Sequence, residues 1–348
     1  MTGMRAAVLV APGQFEVQTV PRPEPEVGEV RIRIARTGIC GTDLHIFHGA
    51  YAADSLPLIP GHELTGHIEA LGAGVTGLEE GQAVVVDMNL GCMNCYWCRR
   101  NEIMNCAGFR QIGITMNGAF ADCLAVPAHR VIPAPSDMPA ATLALTEPLA
   151  CVVRSARKAR IPFGASAVVL GAGPIGNLHV QLLRTIGVAP IIASDTSKER
   201  RAMARDAGAD CVAAPAELHG AVMAATDGRG ADFVIESVGN ISLYAEARSL
   251  LRKGGHLVVF GLTRPDERLE LDILRTILEE NSLKGSVAGM GEDMHDALTL
   301  LRHNRIDTAP FSGAAYDLED IQVAFDTHAA RARDLKTQIV MSGTQERK

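Results

Sequence analysis

The sequence predicts an α/β protein, with a β-rich first part followed by a doubly wound parallel sheet. Three observations predict it: a period-two apolar pattern within the first 150 residues, short apolar runs alternating with helical stretches from about residue 166, and a glycine-rich turn between the first of those runs and a helix. A length of 348 residues suits about two domains, and a composition of 47% hydrophobic and 21% charged residues is that of a globular chain. With 40 acidic against 33 basic residues the formal charge is -7, which argues against nucleic acid or an anionic membrane surface as partner and favours a small molecule. No stretch reaches the ~18 apolar residues of a membrane span, and the opening "MTGMRAAVLVAPGQ" reads as a strand rather than a signal peptide. Eight cysteines without a secretory signal point to a reducing cytoplasm and to metal rather than disulfides.

In "EVRIRIARTG", Val30, Ile32 and Ile34 share one face and Arg31 and Arg33 the other, the pattern of a half-buried antiparallel strand. Residues 91 to 106, "GCMNCYWCRRNEIMNC", carry Cys92, Cys95, Cys98 and Cys106 at a spacing of C-x2-C-x2-C-x7-C. Four thiolates close a tetrahedron around zinc and leave no position for substrate, so this lobe is structural and the chemistry lies elsewhere. Isolated Cys123, Cys151 and Cys211 read as small core residues.

From residue 166 onward, "SAVVLGAG", "PIIASD", "CVAAP", "ADFVIESVG" and "GHLVVFG" read as strands separated by helices such as the one in "SKERRAMARDAGA". In "VVLGAGPIGN", Gly171, Gly173 and Gly176 fit G-x-G-x-x-G, and Pro174 and Ile175 open the helix. The first glycine makes the turn, the second lets backbone approach a pyrophosphate, and the third packs helix on strand. Asp195 falls nineteen residues beyond Gly176, where a carboxylate accepts ribose hydroxyls and repels a 2'-phosphate, so NAD is expected over NADP. Arg200 is grouped with these cofactor residues. Beyond residue 290 two helices, around "MHDALTLLRHN" and "LEDIQVAFDTHAA", precede a last strand, "KTQIVM".

Three segments of the first part, "GICGTDLHIFHG", "PGHELTGH" and "ALTEPLAC", hold a second set of metal-type residues. Cys40, His62, Glu63 and Glu147 supply a thiolate, an imidazole and two carboxylates, and zinc accepts all three types. These segments, the cysteine lobe and "GAGPIG" together resemble the zinc-dependent medium-chain alcohol dehydrogenases, most closely their polyol (sorbitol-type) branch, over essentially the whole chain.

The resemblance implies a GroES-like catalytic domain over residues 1–150 with the structural-zinc lobe, a Rossmann NAD-binding domain over 151–289, and a C-terminal segment over 290–348 completing the catalytic domain. It also implies two zinc ions per chain, NAD as cofactor, a homo-oligomer (a tetramer in related enzymes), and an active site in the cleft between the domains. The implied reaction is hydride transfer from a secondary alcohol to NAD, giving a ketone, with zinc acidifying the alcohol. Cys40 and His62 match direct zinc ligands, and either Glu63 or Glu147 completes the set. Asp43 matches the acid that orients the His62 ring, and Thr42 and His45 match a relay carrying the alcohol proton to solvent.

Some positions depart from sorbitol-type sequences: Ile46 replaces a common tyrosine, Met93 a common glycine, and Arg154 a common histidine. The run "GSVAGMG" lies where an arginine often meets substrate hydroxyls, so a less polar pocket is expected. His48, His67 and His129 match no role. The alternatives are a threonine or 2,3-butanediol dehydrogenase on the same machinery, and a non-catalytic NAD or zinc sensor.

Overall fold

The structure, a computed structural model, describes residues 3–328 and 334–341. The chain forms two compact units, one of Met1–Glu147, Met290–Arg302 and Phe311–Lys348, the other of Pro148–Gly289 and His303–Pro310. Residues 303–310 thus depart from the expected C-terminal segment. They are held in the second unit by Gln181, whose Nε2 donates to the Asp307 carbonyl at 3.0 Å and whose Oε1 accepts from the Asp307 N–H at 2.6 Å.

The first unit is built on a sheet running Ala315–Asp317, Gln338–Val340, Glu29–Gly38, Glu63–Leu71, Ala83–Val86, Val131–Pro133, with Cys123–Pro127 also pairing the strand Glu29–Gly38. That strand is antiparallel to each of its partners. Its alternation is as read: Val30, Ile32 and Ile34 are fully buried, while Arg31 and Arg33 are half-buried. Phe15, Phe47, Phe120 and Phe325 pack their rings together in the core beneath. Phe325 comes from the helix Ile321–His328, and residues 329 and 330 of the helix expected there lie outside the described residues.

The second unit has six parallel strands in the order Cys211–Ala213, Ile191–Ser194, Ala167–Leu170, Ala231–Glu236, Leu251–Val259, Ser282–Gly285. Counted within the unit this is 3-2-1-4-5-6, the doubly wound order with its switch point between the first and fourth strands. Alternate residues of Ala167–Leu170 feed different cores: Ala167 and Val169 join one with Val180 and Ile191, whereas Val168 and Leu170 join another with Ile192 and Leu218. Burial on both faces explains why these strands read as continuous apolar runs. The sixth strand, Ser282–Gly285, lacks the apolar run that marks the other five in the sequence. Its only large apolar residue, Leu283, is 48% exposed, because the strand lies at the sheet edge.

Candidate metal centre and dinucleotide site

Cys40 is the N-cap of the helix Gly41–Phe47, and His62 directly precedes the strand Glu63–Leu71. This brings Cys40, His62 and Glu63 together with their ligand atoms within 4.8 Å of one another. One ion at about 2.0–2.3 Å from each atom spans that spacing. Zinc therefore fits this donor set, and His62 and Glu63 are buried while Cys40 stays half-open.

Asp43 positions two of these residues. Its Oδ2 accepts the Cys40 N–H at 2.8 Å, and its Oδ1 lies 3.4 Å from His62 Nδ1, leaving Nε2 for the metal. Burial works against charge on His62, but Asp43 and Cys40 outweigh it and hold the imidazole pKa well above the ordinary histidine value.

Sequence reasoning missed Lys336. Its buried ammonium donates to Glu63 Oε1 at 2.6 Å and also lies against Oε2. Burial disfavours the ammonium, yet Glu63 and Cys40 raise its pKa above the usual lysine value. The pair fits because Gly38, opposite Glu63 in the sheet, has no side chain: a Cβ there would stand 2.1 Å from Glu63 Oε2 and 2.8 Å from Lys336 Cε.

Glu147 is buried in the first turn of the helix Thr146–Ala159 and is not part of this metal group. Thr42 is half-buried and His45 exposed, three residues apart on the helix Gly41–Phe47 and hence on one face.

Cys92, Cys95, Cys98 and Cys106 form the second metal group, again with ligand atoms within 4.8 Å of one another. The N–H of Cys98 points to Cys95 Sγ at 3.5 Å and that of Cys92 to Cys106 Sγ at 3.4 Å. Hydrogen bonds from the backbone of Asn94 and Cys95 lower the Cys92 thiol to about 6, whereas burial raises Cys98 to about 11. Met93 has φ 62°, the left-handed region, which gives a physical reason for the glycine common there.

In the second unit Gly171 has φ +87°, and a Cβ on Gly176 would stand 1.8 Å from the Gly171 carbonyl oxygen. Gly173 is the N-cap of the helix Pro174–Thr185, and a Cβ there would meet nothing nearer than Arg200 Nη1 at 3.9 Å. The turn thus has one glycine for chirality, one for packing and one facing open space, as a bound pyrophosphate requires. Asp195 follows the strand Ile191–Ser194, with Oδ2 accepting the Ala172 N–H and Oδ1 the Ser197 N–H, each at 2.8 Å. A dinucleotide therefore fits the residues present. Of the isolated cysteines, Cys123 is buried as expected, while Cys151 and Cys211 are only partly so.

The family described as alcohol dehydrogenase GroES-like domain matches residues 26–136, and that described as zinc-binding dehydrogenase matches 174–303. An L-threonine 3-dehydrogenase of Thermococcus kodakarensis is 32% identical over 85% of this chain and 85% of its own length. A sorbitol dehydrogenase of Halalkalibacterium halodurans is 31% identical over 92% of this chain and 93% of its own. A Sinorhizobium meliloti protein described as a zinc-binding dehydrogenase, solved bound to NADP, superposes with a TM-score of 0.91 at 27% identity, covering 98% of this chain and 100% of that one. The chain belongs to the zinc-dependent medium-chain alcohol dehydrogenase family, polyol dehydrogenases included, and is an oxidoreductase of that family.

Proposed function

We propose that the chain oxidises a secondary alcohol of polyol type to the ketone with NAD, using a zinc ion held by Cys40, His62 and Glu63. The observation that carries this reading is the gathering of those three ligand atoms at the foot of the helix that bears Thr42 and His45. Zinc would supply Lewis-acid polarisation of the alcohol and NAD the hydride acceptor.

The chain's own part is positioning and proton movement. Asp43 fixes the His62 ring, and Lys336 balances the Glu63 charge. Thr42 Oγ1 takes the alcohol proton, and exposed His45, one turn on, releases it to solvent. Glu147, outside the ligand group, is not the third ligand in this reading. Asp195, held by two backbone N–H groups, accepts the ribose hydroxyls and disfavours NADP.

A second zinc in the cysteine lobe and a cytoplasmic setting belong to the same reading, the latter supported by the gathering of four of the eight cysteines as a metal group. So does a homo-oligomer, supported by the exposed apolar side chains of Ile273, Leu274, Ile277 and Leu278 on the helix Ile273–Glu279. Among the described residues no helix is long and apolar enough to cross a membrane.

L-Threonine is the second substrate reading, favoured by the 32% identity to a threonine dehydrogenase. Zinc-loaded protein assayed with sugar alcohols, 2,3-butanediol and L-threonine, each with NAD and with NADP, separates the readings by the appearance of reduced cofactor. Turnover of a sugar alcohol with NAD is expected. Turnover of threonine alone selects the second reading, preference for NADP overturns the role of Asp195, and no turnover of any alcohol overturns the proposal.

A further inference from the structure

A buried carboxylate in the second unit has no part in the chemistry above. Glu236 is the last residue of the strand Ala231–Glu236, the fourth of the sheet, and is 0% exposed. Its side chain gathers the backbone N–H groups of one loop, Oε1 accepting from Val238 at 3.0 Å, Gly239 at 2.9 Å and Asn240 at 3.4 Å and Oε2 from Gly239 at 3.0 Å, with the Tyr244 hydroxyl as its side-chain neighbour. Among the described residues no cation pairs with it. Leaving a carboxylate buried on one loop's amides is costly unless that loop keeps one shape.

The rest of the loop is tied down as firmly. Ser237 Oγ lies 2.8 Å from the Leu170 carbonyl and 3.1 Å from that of Gly171, stitching the loop to the glycine-rich turn. On the other side the N–H groups of Phe260 and Gly261 bind the Glu236 carbonyl at 3.2 and 3.0 Å, and the Tyr244 hydroxyl donates to the Gly261 carbonyl at 2.6 Å. Gly261 approaches so closely that a Cβ there would stand 2.6 Å from Glu236 Oε2 and 2.0 Å from the Gly239 nitrogen. Val238, 53% exposed, is left projecting over the turn, its Cγ2 2.4 Å from where a Cβ of Gly171 would lie.

Gly171 follows the first strand and Glu236 ends the fourth, so this loop is the second wall of the switch-point crevice where a doubly wound sheet binds its dinucleotide. We propose that Glu236 is a positioning residue for the dinucleotide: by collecting the amides of Val238, Gly239 and Asn240 it fixes the wall opposite the glycine-rich turn in the shape the cofactor meets. The inference rests on the dinucleotide reading of Gly171, Gly173, Gly176 and Asp195.

The test is titration of zinc-loaded full-length protein with NADH, followed by its fluorescence, for the wild type, Glu236→Ala and Glu236→Gln. Glu236→Ala should raise the Kd about tenfold, the scale of one lost charged hydrogen bond, with zinc content unchanged. Deuterium uptake at the amides of residues 238–240 should rise with it. Glu236→Gln keeps one acceptor oxygen and should recover most of the affinity. In turnover the NAD KM should rise while kcat at saturation is held. A wild type that binds no NADH overturns the dinucleotide reading itself. A wild type that binds, beside a folded Glu236→Ala of equal or tighter Kd, overturns the role of Glu236 alone. If Glu236→Ala does not fold, Glu236→Asp, which draws the carboxylate back from the three amides, decides: a Kd that rises with amide exchange upholds the proposal, and a wild-type Kd overturns it.

Discussion

Lys336 and Glu63 are both buried, so in the zinc-free protein Glu63 is the partner that offsets the cost of burying the Lys336 ammonium. Lys336→Met should cost about 3–5 kcal/mol, the range for stranding one partner of a buried pair, as read by chemical denaturation. A loss within about 1 kcal/mol would place the pair in the class of exposed ion pairs. The group's legibility was uneven for a physical reason. Cys40, His62 and Glu63 could be picked out because zinc restricts its ligands to a few residue types, whereas Lys336 lies 273 residues from Glu63, in a segment where a strand lysine reads as solvent-facing. His179 was equally hidden, buried inside the helix Pro174–Thr185 with neither ring nitrogen hydrogen-bonded. Burial lowers its pKa to about 3, so the unfolded chain, titrating near the ordinary ~6.5, binds the extra proton. The stability this neutral ring contributes is present above about pH 6.5 and falls with pH towards the folded-state pKa, by about 2 kcal/mol between pH 7 and pH 5. His179→Leu should remove that part of the slope, and identical slopes in denaturation at the two pH values would overturn the assignment.

The glycine-rich turn and its helix were legible as an element because each glycine answers a separate steric demand, and the structure has the corresponding close approaches at Gly171 and Gly176. The edge strand Ser282–Gly285 was not, having a single large apolar residue, and neither was the helix Ile273–Glu279 before it, whose apolar residues recur at helical spacing but over only seven residues, too short a run to separate helix from strand. On the helix, Ile273, Leu274, Ile277 and Leu278 are 61%, 67%, 65% and 72% exposed, and the strand pairs only with Leu251–Val259. Water-facing residues of this kind on four of seven helix positions fit a surface covered by a second copy, since a two-fold axis lets a free strand edge and its apolar helix meet their own counterparts. Leu274→Lys with Ile277→Lys should lower the mass found by light scattering to that of a smaller assembly, with zinc content kept. An unchanged mass would overturn the reading of this face as an interface between copies.

At the scale of the whole molecule, both metal groups lie in the first unit, yet they depend on the fold in opposite ways. Cys40, His62 and Glu63 stand on sheet and helix backed by buried Ile39, Ile46 and Leu64, so their geometry is set by a core that exists without the ion. The lobe of residues 91–106 has little core of its own: Tyr96 is 65% and Trp97 40% exposed, and its helical pieces, Tyr96–Arg99 and Ile103–Asn105, are single turns. Zinc bound in the lobe would therefore contribute folding free energy, while zinc bound at Cys40 would fill a site already formed. A closed four-thiolate shell also resists a chelator better than a three-residue site that keeps a position open for substrate. Mild chelation should remove one of two zinc ions together with all dehydrogenase activity, leave the melting temperature nearly unchanged, and be reversed by added zinc. Harsher treatment that takes the second ion should lower the melting temperature and open residues 91–106 to proteolysis. One zinc per chain, or activity and fold lost in the same step, would show that a single metal site serves both purposes.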